Sequence, residues 1–230
     1  MSDNWLPIES NPEVLNDYLK TLGFDTSQFA FTDLFSTEDW AKEMVPKPVL
    51  GMLLVFPYND KFKDFRAKEK AEIAEKGQFV DPDLFFMKQF ASNACGSVGI
   101  YHILGNLQGE YAKLLDSDSI VNKFISQVKD KNAEARGEAF TNAKNIREAH
   151  VSNVDKGVTQ VVEKVDSHFV ALTSFNGTLY EFDGTKDFPI NHGKTTEGTF
   201  IDDACNVAQK FMERDPDNLG FSLVVLAKQA

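Results

Sequence analysis

Cysteine is nearly absent from this chain, and no long hydrophobic run occurs in it. The 230 residues include two cysteines, Cys95 and Cys205, which are too few for a disulfide framework or a thiolate metal cage. The longest apolar run, from Val49 to Tyr58, has about half the length that spans a membrane. The chain also begins without the basic start and apolar core of a signal peptide. These absences predict a soluble, cytoplasmic protein with no metal, no cofactor and no membrane partner.

Basic residues are also scarce relative to acidic ones. Lys and Arg number 24 against 35 Asp and Glu, which gives a formal charge of −11. This balance argues against a nucleic-acid partner and favours attraction to basic surfaces or tails. Hydrophobic residues make up 42% of the chain and include 20 Phe, so we expect a globular protein with a substantial core.

Predicted helices and strands are interspersed along the chain, and no internal repeat is present. A helix from Asn11 to Gly23 has an N-cap residue, a proline at its first position and a terminal glycine. The apolar run from Val49 to Phe56 is typical of a strand buried on both faces. Further helices are predicted at 61–76, 120–128, 133–149 and 199–213, and a further strand is predicted at 221–226. The helix at 61–76 is charged, which indicates a plain surface helix. Residues 151–160 show no period and predict a binding loop or lid.

Cys95 lies where a helix is predicted to begin. Asn93 or Ser92 can cap a helix over residues 94–104. In the first helical turn, the unpaired N–H groups and the positive end of the helix dipole favour a thiolate over a thiol. The backbone N–H of Cys95 and the side-chain amide of Gln89 can then face an oxygen that becomes negative in a tetrahedral intermediate. The alternative is an ordinary buried thiol.

The same helix is apolar on nearly every side, which predicts a buried central helix. Gly96 and Gly99 each disfavour a helix interior by about 1 kcal/mol relative to alanine. We expect close approach of a sheet, or of a substrate backbone, to offset that cost.

Four histidines could supply a base for the thiol. His102 follows Cys95 by seven residues, or about 10.5 Å along a helix axis, so it cannot be the direct base. His150 lies in a polar helical stretch and His192 in an Asn-His-Gly turn, and both are predicted to be surface residues. His168 begins an apolar run and is the remaining candidate.

A predicted hairpin gives His168 a carboxylate partner. The run that begins at His168 turns at Asn176-Gly177 into a second run that ends near Asp183, and Asn-Gly is the strongest short-range hairpin signal. With a two-residue turn, His168 faces Thr185 and Val170 faces Asp183, so Asp183 is a diagonal neighbour of the imidazole. A carboxylate there fixes the tautomer and leaves the other ring nitrogen for the thiol proton. The alternative is a histidine that only ends a strand.

Gln89, Cys95, His168 and Asp183 together resemble a papain-type arrangement, and flanking motifs resemble the ubiquitin C-terminal hydrolase family from Trp5 almost to the C-terminus. The motifs are WLPIESNP at 5–12, NACG at 93–96, HF at 168–169, LYEFDG at 179–184, FPINHG at 188–193 and FMERDP at 211–216.

The resemblance implies an α/β (α+β) fold with a central antiparallel sheet flanked by helices, papain-like, with a knotted backbone. It implies one catalytic domain over residues 1–230, monomeric, that cleaves small adducts or short peptides from the C-terminal glycine of ubiquitin, or of the related modifier NEDD8. Carried over by residue, Cys95 is the nucleophile, His168 the general base and then acid, Asp183 its orienter and Gln89 the oxyanion donor. A crossover loop around 151–162 would limit the size of the leaving group.

Further matching positions resemble family residues that contact ubiquitin: Pro7, Glu9, Asn11, Pro12, Leu219 and Phe221. Two departures concern the loops, since Thr185 stands where family members often have Arg, and the crossover segment lacks the usual Glu-Gly-Gln run. Two other functions stay open from the sequence. One is a ubiquitin-binding protein that is non-catalytic or autoinhibited, and the other is a papain-like peptidase for unrelated peptides, which leaves the N-terminal match unexplained.

Overall fold

A six-stranded antiparallel sheet runs through the middle of the computed structural model, which describes residues 5–154 and 166–229. Its strands are β1 (Phe29–Asp33), β2 (Val49–Pro57), β3 (Ser167–Phe175), β4 (Thr178–Phe182), β5 (Ile190–Lys194) and β6 (Ser222–Lys228). Their spatial order is β1-β6-β2-β3-β4-β5. The predicted α/β class with a central antiparallel sheet is confirmed, whereas the knot stays a prediction.

Helices cover both faces of this sheet. They are α1 (Pro12–Leu22), α2 (Asp39–Glu43), α3 (Asp60–Lys76), α4 (Cys95–Gly105), α5 (Ile120–Val128), α6 (Ala133–Asn142), α7 (Lys144–Val154) and α8 (Phe200–Glu213), with a 3₁₀ turn at Tyr111–Leu114. The chain contributes no helix long and apolar enough to cross a membrane within the residues that the structure describes.

Alternate residues of β2 explain why the sheet has two cores. Leu53 and Val55 belong to a cluster with α1, α4, α5, α6 and α7, whereas Met52 and Leu54 belong to a cluster with α8. Side chains alternate between the faces of a strand, so a continuous apolar run fills both layers. The prediction of a strand buried on both faces is confirmed.

The hairpin of β3 and β4 has the predicted register, but it is shorter than predicted. Ala171 lies opposite Phe182 and Phe175 opposite Thr178, and the pairing ends there. Asp183 begins a turn in which the Lys186 N–H donates to its carbonyl at 2.9 Å. On the other edge of β3, His168 lies opposite Phe56 of β2, and β4 ends before its pairing reaches His168.

The prediction of one helix over 133–149 is wrong in one respect, because this segment forms two helices. Ala143 between them is extended, with ψ 103°. Phe140 and Ile146 are both buried, yet six residues of one straight helix would turn them about 120° apart. The break lets both side chains enter the same core. Residues 151–154 of the predicted loop belong to α7, and its remaining residues lie outside those described.

Candidate active site

Cys95 lies in the first turn of α4, as predicted, although the helix begins at Cys95 rather than at residue 94 and the predicted caps are wrong. Ala94 occupies the N-cap position, and no side chain caps this helix. Asn93 has a left-handed φ of 60°, and its amide donates to the carbonyl of Trp5 at 3.0 Å. Because Asn93 is held toward the N-terminal segment, the first turn of α4 keeps backbone N–H groups without a side-chain cap.

Close packing explains the two glycines of this buried helix. A Cβ on Gly96 would lie 2.3 Å from Ile8 Cγ2, and a Cβ on Gly99 would lie 3.1 Å from Leu53 Cδ2. Gly99 thus meets the sheet, as predicted, while Gly96 meets the segment that precedes α1. The absence of side chains lets α4 sit directly against both neighbours.

Three side chains meet at the start of α4 and the end of β4. The His168 imidazole is close enough to the Cys95 thiol for each group to shift the pKa of the other. His168 Nε2 lies 2.9 Å from Asp183 Oδ1, which leaves Nδ1 as the ring nitrogen for the thiol. Cys95 and Asp183 are buried, and the side chain of His168 is 12% exposed. Sulfur, imidazole and carboxylate therefore form one row, in which the imidazole and the carboxylate are hydrogen bonded.

The electrostatics of this row favour charge on all three groups. Burial would raise the pKa of Cys95, but the bond and charge of His168 and the Phe169 N–H outweigh it and lower that pKa. Burial would lower the pKa of His168, but Asp183 and Cys95 raise it well above its usual value. Both shifts favour a thiolate beside an imidazolium over a neutral thiol beside a neutral imidazole.

Asp183 is held from several sides. The backbone N–H and the hydroxyl of Thr185 donate to its Oδ1 at 2.9 and 2.7 Å, and Arg66 Nη1 lies 3.9 Å from its Oδ2. Burial would raise the pKa of Asp183, but the charge and bond of His168, the Thr185 hydroxyl and the Arg66 charge together lower it well below its usual value. The carboxylate is therefore ionised and fixed in direction.

Gln89 is anchored next to this turn. Its backbone N–H donates to the Gly184 carbonyl at 2.7 Å, and its side-chain amide donates to the Ala91 carbonyl at 3.1 Å. Its Oε1 is buried and has no hydrogen-bond partner among the described residues. One N–H of the amide is thus committed to Ala91, and the amide group carries a second one.

The other histidines lie outside the row. The prediction that His150 is a surface residue is wrong, because it is fully buried. Its Nδ1 lies 2.8 Å from Ser97 Oγ and its Nε2 2.6 Å from the Leu6 carbonyl. It joins α7 to α4 and to the N-terminal segment, a role for which a polar helical stretch gives no signal.

His192 and His102 each have a partner elsewhere. His192 is half-buried, contrary to the predicted surface position, and its Nε2 lies 2.9 Å from Glu181 Oε2. His102 is buried, with Nε2 3.2 Å from the backbone of Met87, and burial lowers its pKa to about 3. In the part of the chain that the structure describes, no group of three His, Cys, Asp or Glu side chains could hold a metal ion.

The predicted ubiquitin contacts occupy two regions. Pro7, Glu9 and Asn11 precede α1 and are partly exposed, and Pro12 opens that helix. Asn11 also has a structural role, because its Oδ1 accepts the Glu13 N–H at 2.8 Å as the helix N-cap.

The second region is a groove beside β6. Leu219 is 92% exposed, and it lines this groove with Phe221, Met212 and Pro216. An exposed leucine next to an aromatic ring is an apolar surface of the kind that partner proteins bury.

Arg66 and the turn contacts of α3 were missed by sequence reasoning. The helix was predicted to be a plain surface helix, and Phe62 is its one buried residue. However, Arg66, Glu69 and Lys70 contact the turn that follows β4. All three side chains are charged, so the sequence pattern does not indicate which of them have partners far along the chain.

Residues 5–213 match the family model described as ubiquitin carboxyl-terminal hydrolase, family 1. The chain belongs to this family. The predicted class of enzyme, a cysteine-type ubiquitinyl hydrolase, is thereby confirmed.

Relatives in this hydrolase family match along almost the whole chain. Ubiquitin carboxyl-terminal hydrolase 3 of Arabidopsis thaliana is 38% identical over 229 residues, covering 99% of this chain and 96% of the relative. The human isozyme L1 is 36% identical over 224 residues, covering 97% and 98%. The fold is similar to that of the Trichinella spiralis UCH37 catalytic domain bound to ubiquitin vinyl methyl ester, with a TM-score of 0.77, 22% identity and coverage of 98% and 96%. This likeness confirms the papain-like class of fold.

Proposed function

We propose that this hydrolase cleaves bonds at the C-terminal carbonyl of ubiquitin, with Cys95 as nucleophile, His168 as proton carrier and Asp183 as its orienter. The observation that carries the proposal is the position of His168 between two groups: it lowers the pKa of the Cys95 thiol, and its Nε2 lies 2.9 Å from Asp183 Oδ1. A lowered thiol pKa beside a raised imidazole pKa is the arrangement that a thiolate nucleophile needs.

The reaction follows from these positions. The thiolate attacks the glycine carbonyl, and the oxygen that becomes negative accepts hydrogen bonds from the Cys95 N–H and the Gln89 amide. The imidazolium gives its proton to the leaving amine or alcohol, and the carbon–leaving-group bond breaks to give a thioester. Neutral His168 then takes a proton from water as that water attacks the thioester, and the thiolate leaves.

The substrate class is supported by the family and by charge. The related Trichinella protein is described as bound to ubiquitin vinyl methyl ester, and the net charge of −11 suits a basic tail. We infer that small adducts or short peptides are the leaving groups, and that NEDD8 is the modifier to compare. Six positions are proposed to contact ubiquitin: Pro7, Glu9, Asn11, Pro12, Leu219 and Phe221.

A fluorogenic amide on the C-terminus of ubiquitin tests the proposal directly. We expect the wild-type chain to release the fluorophore and Cys95→Ser to abolish release. Cys205→Ser is the matched control, because that thiol is buried on α8, and burial raises its pKa to about 11. The same amide on NEDD8 measures the preference between the two modifiers.

Binding of ubiquitin without release by the wild-type chain would instead select the non-catalytic binding protein. Release that survives Cys95→Ser would reject Cys95 as the nucleophile. Release from unrelated peptide amides, with none from ubiquitin, would select a general peptidase.

A further inference from the structure

Helix α3 docks on the turn that carries Asp183, and it does so through charged side chains. Three contacts hold it there: Arg66 Nη1 with Thr185 Oγ1 at 2.7 Å, Glu69 Oε2 with Lys186 Nζ at 2.5 Å, and Lys70 Nζ with Asp187 Oδ2 at 2.6 Å. Isolated exposed ion pairs stabilise a fold little. Thr185, however, is itself a partner of Asp183, so the Arg66 contact reaches the active site.

The hydroxyl of Thr185 lies between the guanidinium and the carboxylate. The guanidinium of Arg66 can only donate hydrogen bonds, so the hydroxyl oxygen of Thr185 accepts from Nη1. The single hydroxyl hydrogen then points away from the guanidinium and donates to Asp183 Oδ1 at 2.7 Å. Arg66 thereby fixes the direction in which Thr185 donates.

The second carboxylate oxygen faces the same guanidinium. Asp183 Oδ2 lies 3.9 Å from Arg66 Nη1, and the Asp183 side chain is 3% exposed against 25% for Arg66. Oδ1 already accepts from His168 and from both donors of Thr185. Oδ1 is thus held by hydrogen bonds and Oδ2 by the charge of the guanidinium, and a buried charge with such partners is costly to rotate.

We propose that Arg66 is a positioning residue for this reaction, acting through the Thr185 hydroxyl on the carboxylate of Asp183. This inference rests on the proposed function. Without the guanidinium, the hydroxyl is free to rotate and the carboxylate loses one of its fixed partners. His168 then spends less time with its other nitrogen aimed at Cys95, so the chemical step slows while ubiquitin binding is unchanged.

Steady-state hydrolysis of the ubiquitin amide separates these effects. We expect Arg66→Met to lower kcat about tenfold, the size of one hydrogen bond to a charged group, with KM within about twofold. Thr185→Val keeps the side-chain shape and the backbone donor but loses the hydroxyl, and it should lower kcat equally. Thr185→Ser restores the hydroxyl and should retain wild-type kcat. Lys68→Met, an exposed cation on the same helix, should leave kcat unchanged.

A double-mutant cycle distinguishes positioning from a structural role. In an Asp183→Asn background, Arg66→Met should cause no further loss of the residual turnover, because its effect passes through that carboxylate. Equal losses in both backgrounds, or wild-type kcat in both Arg66→Met and Thr185→Val, would overturn the inference. A wild-type chain without turnover would instead reject the proposed function, so the two failures are distinguishable.

Discussion

The backbone N–H of Gln89 donates to the carbonyl of Gly184 at 2.7 Å. One backbone hydrogen bond therefore links the proposed oxyanion donor to the turn that carries the proposed orienter. Displacement of either segment is transmitted to the other through this hydrogen bond.

Gly184→Ala is predicted to damage catalysis through this link. The added Cβ would lie 2.9 Å from both Gln89 Cβ and Val98 Cγ1, and overpacking of this kind costs about 1–3 kcal/mol. We expect kcat for the ubiquitin amide to fall about 10- to 100-fold, since small misplacements of reacting groups are costly. Gly198→Ala is the control, because its Cβ would meet only Thr196 Oγ1 at 3.9 Å. Equal kcat in both variants would refute the link.

Asp183→Asn and His168→Ala should separate chemistry from binding. Each variant is expected to lower turnover by about two to four orders of magnitude, because the proton carrier is lost or wrongly oriented. Ubiquitin affinity, measured by calorimetry, should stay within about threefold, since neither residue is among the proposed contacts. Full turnover by Asp183→Asn, with the wild-type pH profile, would show that the orienter is misassigned.

The ion pair predicts a particular pH dependence of thiol reactivity. The pKa of Cys95 is lowered and that of His168 is raised. We therefore expect kcat/KM to rise as pH increases through the pKa of Cys95 and to fall as pH increases through the pKa of His168. Asp183→Asn removes the charge that raises the imidazole pKa, so the falling limb should move to lower pH. It should also move the rising limb to higher pH, because the imidazolium that favours the thiolate is less populated.

Iodoacetamide alkylation of Cys95 checks the thiolate directly, since the thiolate is the nucleophile. Wild-type alkylation should persist below the usual thiol pKa and should weaken there in Asp183→Asn. Identical titrations of the two proteins near the ordinary thiol value would contradict the ion pair.

His150 should make the fold sensitive to acid. Burial lowers its pKa to about 4, below the usual histidine value of about 6.5. As pH falls from about 6.5 toward 4, the unfolded chain binds a proton that the folded chain excludes, so stability is lost. At pH 5 this loss amounts to about 2 kcal/mol. Urea titrations at pH 7 and pH 5 give the free energy of unfolding at each pH. The decrease from pH 7 to pH 5 should be smaller for His150→Gln than for wild type. An unchanged difference would reject this role of His150.

Much of the site could be predicted because its signals are local. An Asn-Gly turn fixes the register of a hairpin, and a two-residue period then relates His168 to Asp183 along it. The predicted pairing continues to Thr185, whereas the strands part after Phe182. The contact is still made, because the turn at Gly184 brings the carboxylate back toward the imidazole.

What the sequence could not predict depends on partners far along the chain. Arg66 meets Thr185 across 119 residues, and His150 meets Leu6 across 144. No period or spacing relates such pairs, and polar residues in a polar helix look alike whether they face solvent or a buried carbonyl. The predicted cap of α4 was wrong for the same reason, because the Asn93 amide donates to the carbonyl of Trp5, 88 residues earlier.

Covalent labelling tests the central claim most directly, namely that Cys95 attacks the C-terminal carbonyl of bound ubiquitin. Ubiquitin that carries an electrophile in place of its terminal carboxylate should add once to the chain, and mass spectrometry should locate the adduct on Cys95. Cys95→Ser should prevent the adduct, and Cys205→Ser should leave it unchanged. No adduct on the wild-type chain, or an adduct on Cys205, would contradict the account.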